Sequence, residues 1–329
     1  MAIIPQEASP NLQRPTTYEV VRSTAARISL SRSLCRFEGA DVFDFLHRMS
    51  TNDILSLRDG EVRRTVIVNE KGRVIDLVTV IRTGDRALLL GSPGLGPELA
   101  RWFEKFIIMD DVRIAGGADD ARVLAFYGPR SPGLAGSLSG GRSIVREDLG
   151  SIPGYILVPS VDDDTGTGIG TPPVTLTDLP EIDNVTIETV RIEERVPATG
   201  RELGPEVNAL EAGLKKYISF SKGCYIGQEV IARLDTYRKL QKILSLFVFP
   251  GFDGDGLDPG VLLHDGVEAG RITSTVHSPR HGAWIGLGYR GIRAQETDFY
   301  FIPEGGNAQI HCRCISGLPE GYEEYEIQQ

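Results

Sequence analysis

Lys222-Gly223-Cys224-Tyr225-Ile226-Gly227-Gln228-Glu229, continued by Val230-Ile231-Ala232-Arg233, is the most informative stretch of this 329-residue chain. It sets a cysteine between a Lys-Gly pair and a tyrosine. A neighbouring ammonium favours the thiolate, and a glycine lets backbone or ligand approach closely. The same cysteine also reads as a small packed residue with no chemistry. Residue type alone leaves both readings open.

Outward from this stretch the pattern differs on the two sides. Downstream, short β runs recur between Gly/Pro/Asp turns: Ile243–Phe249, Val261–His264, Gly270–Thr275, Trp284–Leu287, Phe299–Ile302 and Gln309–Ile315. His264-Asp265-Gly266 is a hairpin signal among them, and the spacing predicts an antiparallel barrel of about six strands. The domain line falls near Phe249-Pro250-Gly251. Upstream, helices and strands mix. Arg27–Phe37 alternates as a strand, Gly39 turns the chain, and Val42, Phe43, Leu46 and Met49 follow at helical spacing. Thr65–Asn69 and Val74–Ile81 read as strands joined by Glu70-Lys71-Gly72-Arg73, with Leu88–Gly91 a further strand. Pro97 opens a helix through Phe106, and Asp183 caps one running toward Val196.

Val123-Leu124-Ala125-Phe126-Tyr127-Gly128-Pro129 echoes Leu34-Cys35-Arg36-Phe37-Glu38-Gly39-Ala40, a strand ending at a glycine before a helix. The echo hints at a duplicated α/β unit. The pattern therefore divides the chain into an N-terminal α/β unit over 1–118, interleaved with a second over 119–245 that carries the cysteine stretch, and a β-barrel over 246–329. Val161–Pro173, acidic and then Gly/Thr/Pro-rich, reads as a flexible surface loop.

Composition narrows the partners. With 45 acids against 35 bases the net charge is −10, and no run of Lys/Arg forms a basic patch, so nucleic acid is not expected as a partner. No apolar run reaches the roughly 18 residues of a membrane span. Met1–Pro15 lacks a signal or transit pattern. Cys35, Cys224, Cys312 and Cys314 are too scattered for a disulfide framework, which suits a reducing cytoplasm. Cys312-Arg313-Cys314 puts two thiols on one strand face, short of the three or four ligands a metal site needs, so no metal is expected. His277 and His281 flank Ser278-Pro279 and read as a surface loop.

Lys222–Glu229 resembles the K-G-C-Y-x-G-Q-E signature of the YgfZ-type folate-binding branch of the glycine-cleavage T-protein (aminomethyltransferase) superfamily. Pro205-Glu206-Val207-Asn208 with Gly213, and Arg191-Ile192-Glu193, are similar to superfamily elements. So are Gly39, Phe45-Leu46, Thr51-Asn52-Asp53 and Asn69-Glu70-Lys71-Gly72. Gly270-Arg271-Ile272-Thr273-Ser274, Ser278-Pro279 and Ile285-Gly286-Leu287-Gly288-Tyr289 continue the likeness to the end of the chain.

The resemblance implies an α+β fold in which duplicated, ferredoxin-like α/β units form a funnel and a C-terminal barrel closes it. It implies tetrahydrofolate, or a one-carbon derivative, as cofactor. Glu193 would accept the side-by-side N–H groups of the pteridine as a bidentate pair. Met49, Asn52, Asp76, Tyr225, Gln228 and Arg233 would contact the cofactor as well, with Cys224, Lys222 and Asp76 carrying any chemistry. The implied role is assembly or repair of iron–sulfur proteins, which would be its clients. A tetrahydrofolate-dependent aminomethyltransferase is the alternative enzyme, and a plain folate-binding scaffold is the third reading.

Two departures bear on this choice. The superfamily's G-G-x-x-D-D carries two acids, whereas Gly72-Arg73-Val74-Ile75-Asp76-Leu77 carries one, which argues against aminomethyl transfer. Arg238 stands where the branch usually turns on a glycine, so that loop is expected to differ.

Overall fold

The computed structural model describes residues 16–138, 143–158, 173–292 and 297–316. The readings of Met1–Pro15 and of the Val161–Pro173 loop fall outside these residues, Pro173 excepted. The first part of the chain runs α1 (Thr17–Ser23), β1 (Ala26–Glu38), α2 (Val42–Met49), β2 (Val62–Val68), β3 (Val74–Thr83), β4 (Arg86–Gly91) and α3 (Gly96–Glu104). β5 (Arg113–Tyr127), α4 (Ser131–Ser137), β6 (Ser143–Arg146), β7 (Gly154–Val158), α5 (Val174–Thr177) and α6 (Asn184–Glu193) follow. All seven strands join one sheet in the order β2-β3-β4-β1-β5-β7-β6, and every pairing is antiparallel.

The echo between the two halves has a structural counterpart. β1 and β5, each followed by a glycine and a helix, pair with each other at the middle of the sheet. Gly39 and Gly128 adopt φ of 129° and 132°. A Cβ on either would strike backbone, at 1.9 Å from Asp111 O and 2.3 Å from Thr24 O respectively, so only glycine fits where the strand folds over into its helix.

One face of the sheet is covered by α2 and α3. Its core holds Phe37, Phe45, Leu46, Met49, Val78, Leu89 and Phe103. The other face meets α1 and α6 over Ile28, Leu34, Val123, Tyr127, Ile156 and Val190. Asp183 caps α6, its side chain accepting from Thr186 N–H. The helix stops at Glu193 instead of reaching Val196. Arg195 turns left-handed (φ 55°), and Val196 N–H bonds back to the Arg191 carbonyl, closing the helix end. α3 likewise ends at Glu104, leaving Phe106 in the following turn.

After α7 (Gln228–Tyr237) come β8 (Lys242–Phe249), β9 (Gly260–His264), β10 (Val267–Ser278), β11 (Ala283–Gly291), β12 (Asp298–Pro303) and β13 (Ile310–Cys314). They close into a barrel in the order β10-β11-β8-β13-β12-β9. Phe247–Phe299 and Phe249–Phe301 fill it as edge-to-face pairs at 5.8 and 5.2 Å, beside buried Cys312. His277 belongs to β10, paired with Trp284, and is not in a loop; only His281 lies in the turn beyond Ser278.

The barrel's other face shares a core with the sheet. Ile243, Leu246, Ile285, Leu287 and Tyr289 pack with Val66, Leu77, Leu203, Leu210, Tyr225 and Ile231. Among the described residues no helix is long and apolar enough to cross a membrane.

Candidate functional site

The sheet curls enough for a residue at its β6 end to reach β3 on the far side of β1. Glu147, just past β6, bonds with Arg32 of β1 and accepts from Thr79 Oγ1 of β3 at 3.2 Å. Thr79 is in register with Arg64 of β2, whose guanidinium stacks on Tyr217 at 5.0 Å and donates to its hydroxyl at 3.2 Å. These groups form a polar strip between the two apolar cores of that face. Burial pushes the Glu147 carboxyl up, but the guanidiniums of Arg32 and Arg64 and the Thr79 hydroxyl outweigh it, leaving the group below its ordinary value. The Tyr127 phenol beside them is raised by burial and by Glu147. Among the described residues Arg64 Nε is buried with no partner. The sequence reading missed Arg32, Arg64 and Glu147. Arg32 and Arg64 are charges at the core-facing phase of strands, and that phase was the available signal.

The residues singled out from the sequence fall into three groups. Glu193, at the end of α6, is 5% exposed. Both its oxygens accept from Tyr18 Oη, at 3.0 and 2.8 Å. Arg22 and Ser278 bind it as well. Among the described residues Arg22 Nε beside it is buried without a partner.

Asp76 is fully buried. Its Oδ1 accepts from Leu77 N–H (2.9 Å), Ser92 Oγ (2.6 Å) and Thr199 Oγ1 (2.9 Å), and its Oδ2 from Ser92 N–H (2.7 Å). Burial raises its pKa, against the pull of those donors. Leu77, where the superfamily has its second acid, packs in the shared core.

The third group surrounds the C-terminal end of α2. Lys222 Nζ donates to the carbonyls of His47, Ser50 (2.6 Å) and Asn52 (2.8 Å). An ammonium has three donors, so these contacts use all of them and leave none for a thiolate. Burial draws the Lys222 pKa down to about 7. The Tyr225 ring lies 4.9 Å from the ammonium, and burial drives its phenol to about 12.

Asn52 is used locally: its Nδ2 donates to Arg64 O and its Oδ1 accepts from Asp53 N–H. Ile226 N–H bonds to Arg48 O. Gly227, at φ 77°, sits so close to Asn69 that a Cβ would lie 2.6 Å from its carbonyl, and Gln228 begins α7 behind it. The motif is thus pinned on both sides, and Cys224 is its exposed thiol. Met49 packs within the α2 core and Arg233 is exposed on α7, so neither joins the strip.

Residues 17–150 match the family model described as the GCVT N-terminal domain. The chain is 31% identical over 274 residues to a chloroplastic protein of Arabidopsis thaliana that carries a transferase name, over 77% of this chain and 62% of that one. It therefore spans less than two thirds of that relative's length. An aminomethyltransferase of Leptospira biflexa is 25% identical over 75% of this chain and 72% of its own. The solved aminomethyltransferase T of the Bartonella henselae glycine cleavage system has a TM-score of 0.71 at 16% identity, covering 94% of this chain and 89% of that one. The fold, a curled antiparallel sheet with helices and a closed six-stranded barrel, is therefore that of the T-protein. The likeness to T-proteins thus rests on a family model over residues 17–150 and on a shared fold.

Proposed function

We propose that this chain binds tetrahydrofolate, or a one-carbon derivative of it, in the hollow of the curled sheet. We further propose that it serves assembly or repair of iron–sulfur proteins through Cys224, without transferring aminomethyl groups. The observation that carries the second half is Asp76. A carboxylate accepts about four hydrogen bonds. Asp76 receives four from protein donors, two of them backbone N–H groups that cannot turn away, whereas Glu193 is held only by side chains that a ligand can displace. Of the four cysteines, Cys224 is the exposed one and Cys314 is half-buried.

The strip has the donors and acceptors that a pteridine needs: Arg64 Nε, and the Arg32 guanidinium paired with the Glu147 carboxylate. Glu193 would join them when the ligand's N–H pair replaces the Tyr18 hydroxyl on its oxygens. Bound folate would supply the one-carbon carrier. The chain's own groups would orient the ring and exclude water.

Titration calorimetry with tetrahydrofolate tests the binding. Micromolar affinity is expected, and Glu193→Ala should weaken it by about 2–4 kcal/mol because the buried pteridine donors lose their acceptor. Equal affinity of the two proteins would remove Glu193 from the site. Tetrahydrofolate-dependent aminomethyl transfer is the second reading, favoured by the relatives that bear that name. An assay with lipoylated carrier protein separates them. Robust turnover, lost in Asp76→Asn, would establish the transferase.

A further inference from the structure

The Glu193 side chain, at the end of α6, has no surface exposed to solvent. Most of its covering comes from α1. Tyr18 and Arg22 stand one turn apart on that helix, so their side chains leave the same face and both reach the carboxylate. A carboxylate has about four acceptor sites, two on each oxygen. Ser278 Oγ takes one on Oε1, and the Arg22 guanidinium takes one on Oε2. The Tyr18 hydroxyl, 3.0 and 2.8 Å from the two oxygens, bridges the remaining pair with a single proton.

That bridge is an incomplete use of a buried carboxylate. Two parallel N–H groups would satisfy the same two sites separately, and a bidentate pair is the stronger arrangement. Burial of Tyr18, and then its bond to Glu193, raise the phenol above its ordinary pKa against the pull of Arg22, so it stays a protonated donor at neutral pH. Among the described residues Arg22 Nε is buried beside it with no partner, a cost of holding this arrangement. The Tyr18 ring is only half-buried. It can turn toward solvent while Val20 and Val21 stay in the core and Thr17 Oγ1 stays on Asp183 Oδ2 at 2.7 Å, keeping α1 seated.

We propose that Tyr18 is an intramolecular competitor for the ligand's place on Glu193. Its hydroxyl holds the two acceptor sites that side-by-side N–H groups of a ligand take, and binding requires the phenol to turn away. Ser278 and Arg22 keep their sites through the exchange, so the buried carboxylate is never left without a partner. The ligand makes two straight bonds where the phenol divided one proton between two oxygens. α1 thereby sets how tightly the site binds, because every ligand that engages Glu193 must first displace Tyr18.

The inference rests on Glu193 being an acceptor for folate, as proposed above. The full chain and its Tyr18→Phe variant are titrated with tetrahydrofolate in a calorimeter. Phenylalanine keeps the packing of the ring and removes only its oxygen. The variant should bind at least about tenfold more tightly, since the hydrogen bond that opposes binding is one to a charged group. In a Glu193→Ala background the same substitution should leave the affinity unchanged, which a general loosening of α1 would not do. Equal or weaker binding by Tyr18→Phe, with Glu193→Ala still weakening the wild type, would overturn the competitor and leave the folate reading standing. A gain that persists without Glu193 would overturn it as well. Binding by neither the wild type nor Tyr18→Phe would remove the folate reading and the competitor together.

Discussion

At the scale of single residues, Asp76 separates what a carboxylate is for from where it sits. Ionising it inside the protein is opposed by burial, and Ser92, Thr199 and the Leu77 amide act in the other direction. The folded-state pKa is raised above the unfolded value. A group shifted in that sense contributes its full stability below the unfolded pKa, about 3.9, and loses it as pH rises through the folded value. Asp76→Asn abolishes the titration, although the amide cannot accept from every donor. The melting temperature of the variant minus that of the wild type should therefore be more positive at pH 7 than at pH 4. Scanning calorimetry at the two values checks it, and a difference that is flat or reversed would mean that the donors have overcome burial.

At the scale of elements, the sequence was legible wherever structure is local. The Glu70–Arg73 turn joins β2 to β3, and the β runs after Lys242 become the six barrel strands, because hairpin neighbours pair across short turns. Asp183 caps α6 for the same local reason. The curl of the sheet was not legible. Arg32, Thr79 and Glu147 meet only because distant strands bend toward each other, and no spacing in the chain records that. The cysteine stretch was half legible. Residue type left open whether Cys224 packs or is exposed; the fold presents it to solvent, and Lys222 closes the end of α2.

Arg238 was expected to reshape its loop, and the structure gives a simpler account. It caps α7 in the left-handed region at φ 50° and ψ 35°, the conformation that glycine supplies without steric cost. The non-glycine penalty is roughly 1–2 kcal/mol, partly offset by the extra freedom glycine gives the unfolded chain. Arg238→Gly should therefore stabilise the protein by about 0.5–1 kcal/mol in urea unfolding. A loss of more than about 1 kcal/mol would show that the arginine side chain holds the turn.

At the scale of the whole molecule, the division by sequence pattern into 1–118, 119–245 and 246–329 meets a core that crosses its lines. Val66 and Leu77 come from the sheet, Leu203, Leu210 and Tyr225 from the connecting segment with the cysteine stretch, and Ile243, Leu246, Ile285 and Leu287 from the barrel. Arg191 of α6 adds a buried tie, bonding to Glu202 at 2.8 Å and to Ser274 of β10 at 2.9 Å. Neither body can leave without exposing the apolar face of the other and stranding that charge. The chain should consequently unfold in one cooperative transition, with calorimetric and van't Hoff enthalpies equal. Leu77→Ala on the sheet side and Ile285→Ala on the barrel side remove buried side chains from the same core. Each should cost about 2–5 kcal/mol. Both should shift that single transition to lower temperature while leaving it single. A barrel that melts alone in Ile285→Ala, with the sheet transition unmoved, would show that the shared core does not couple the two bodies.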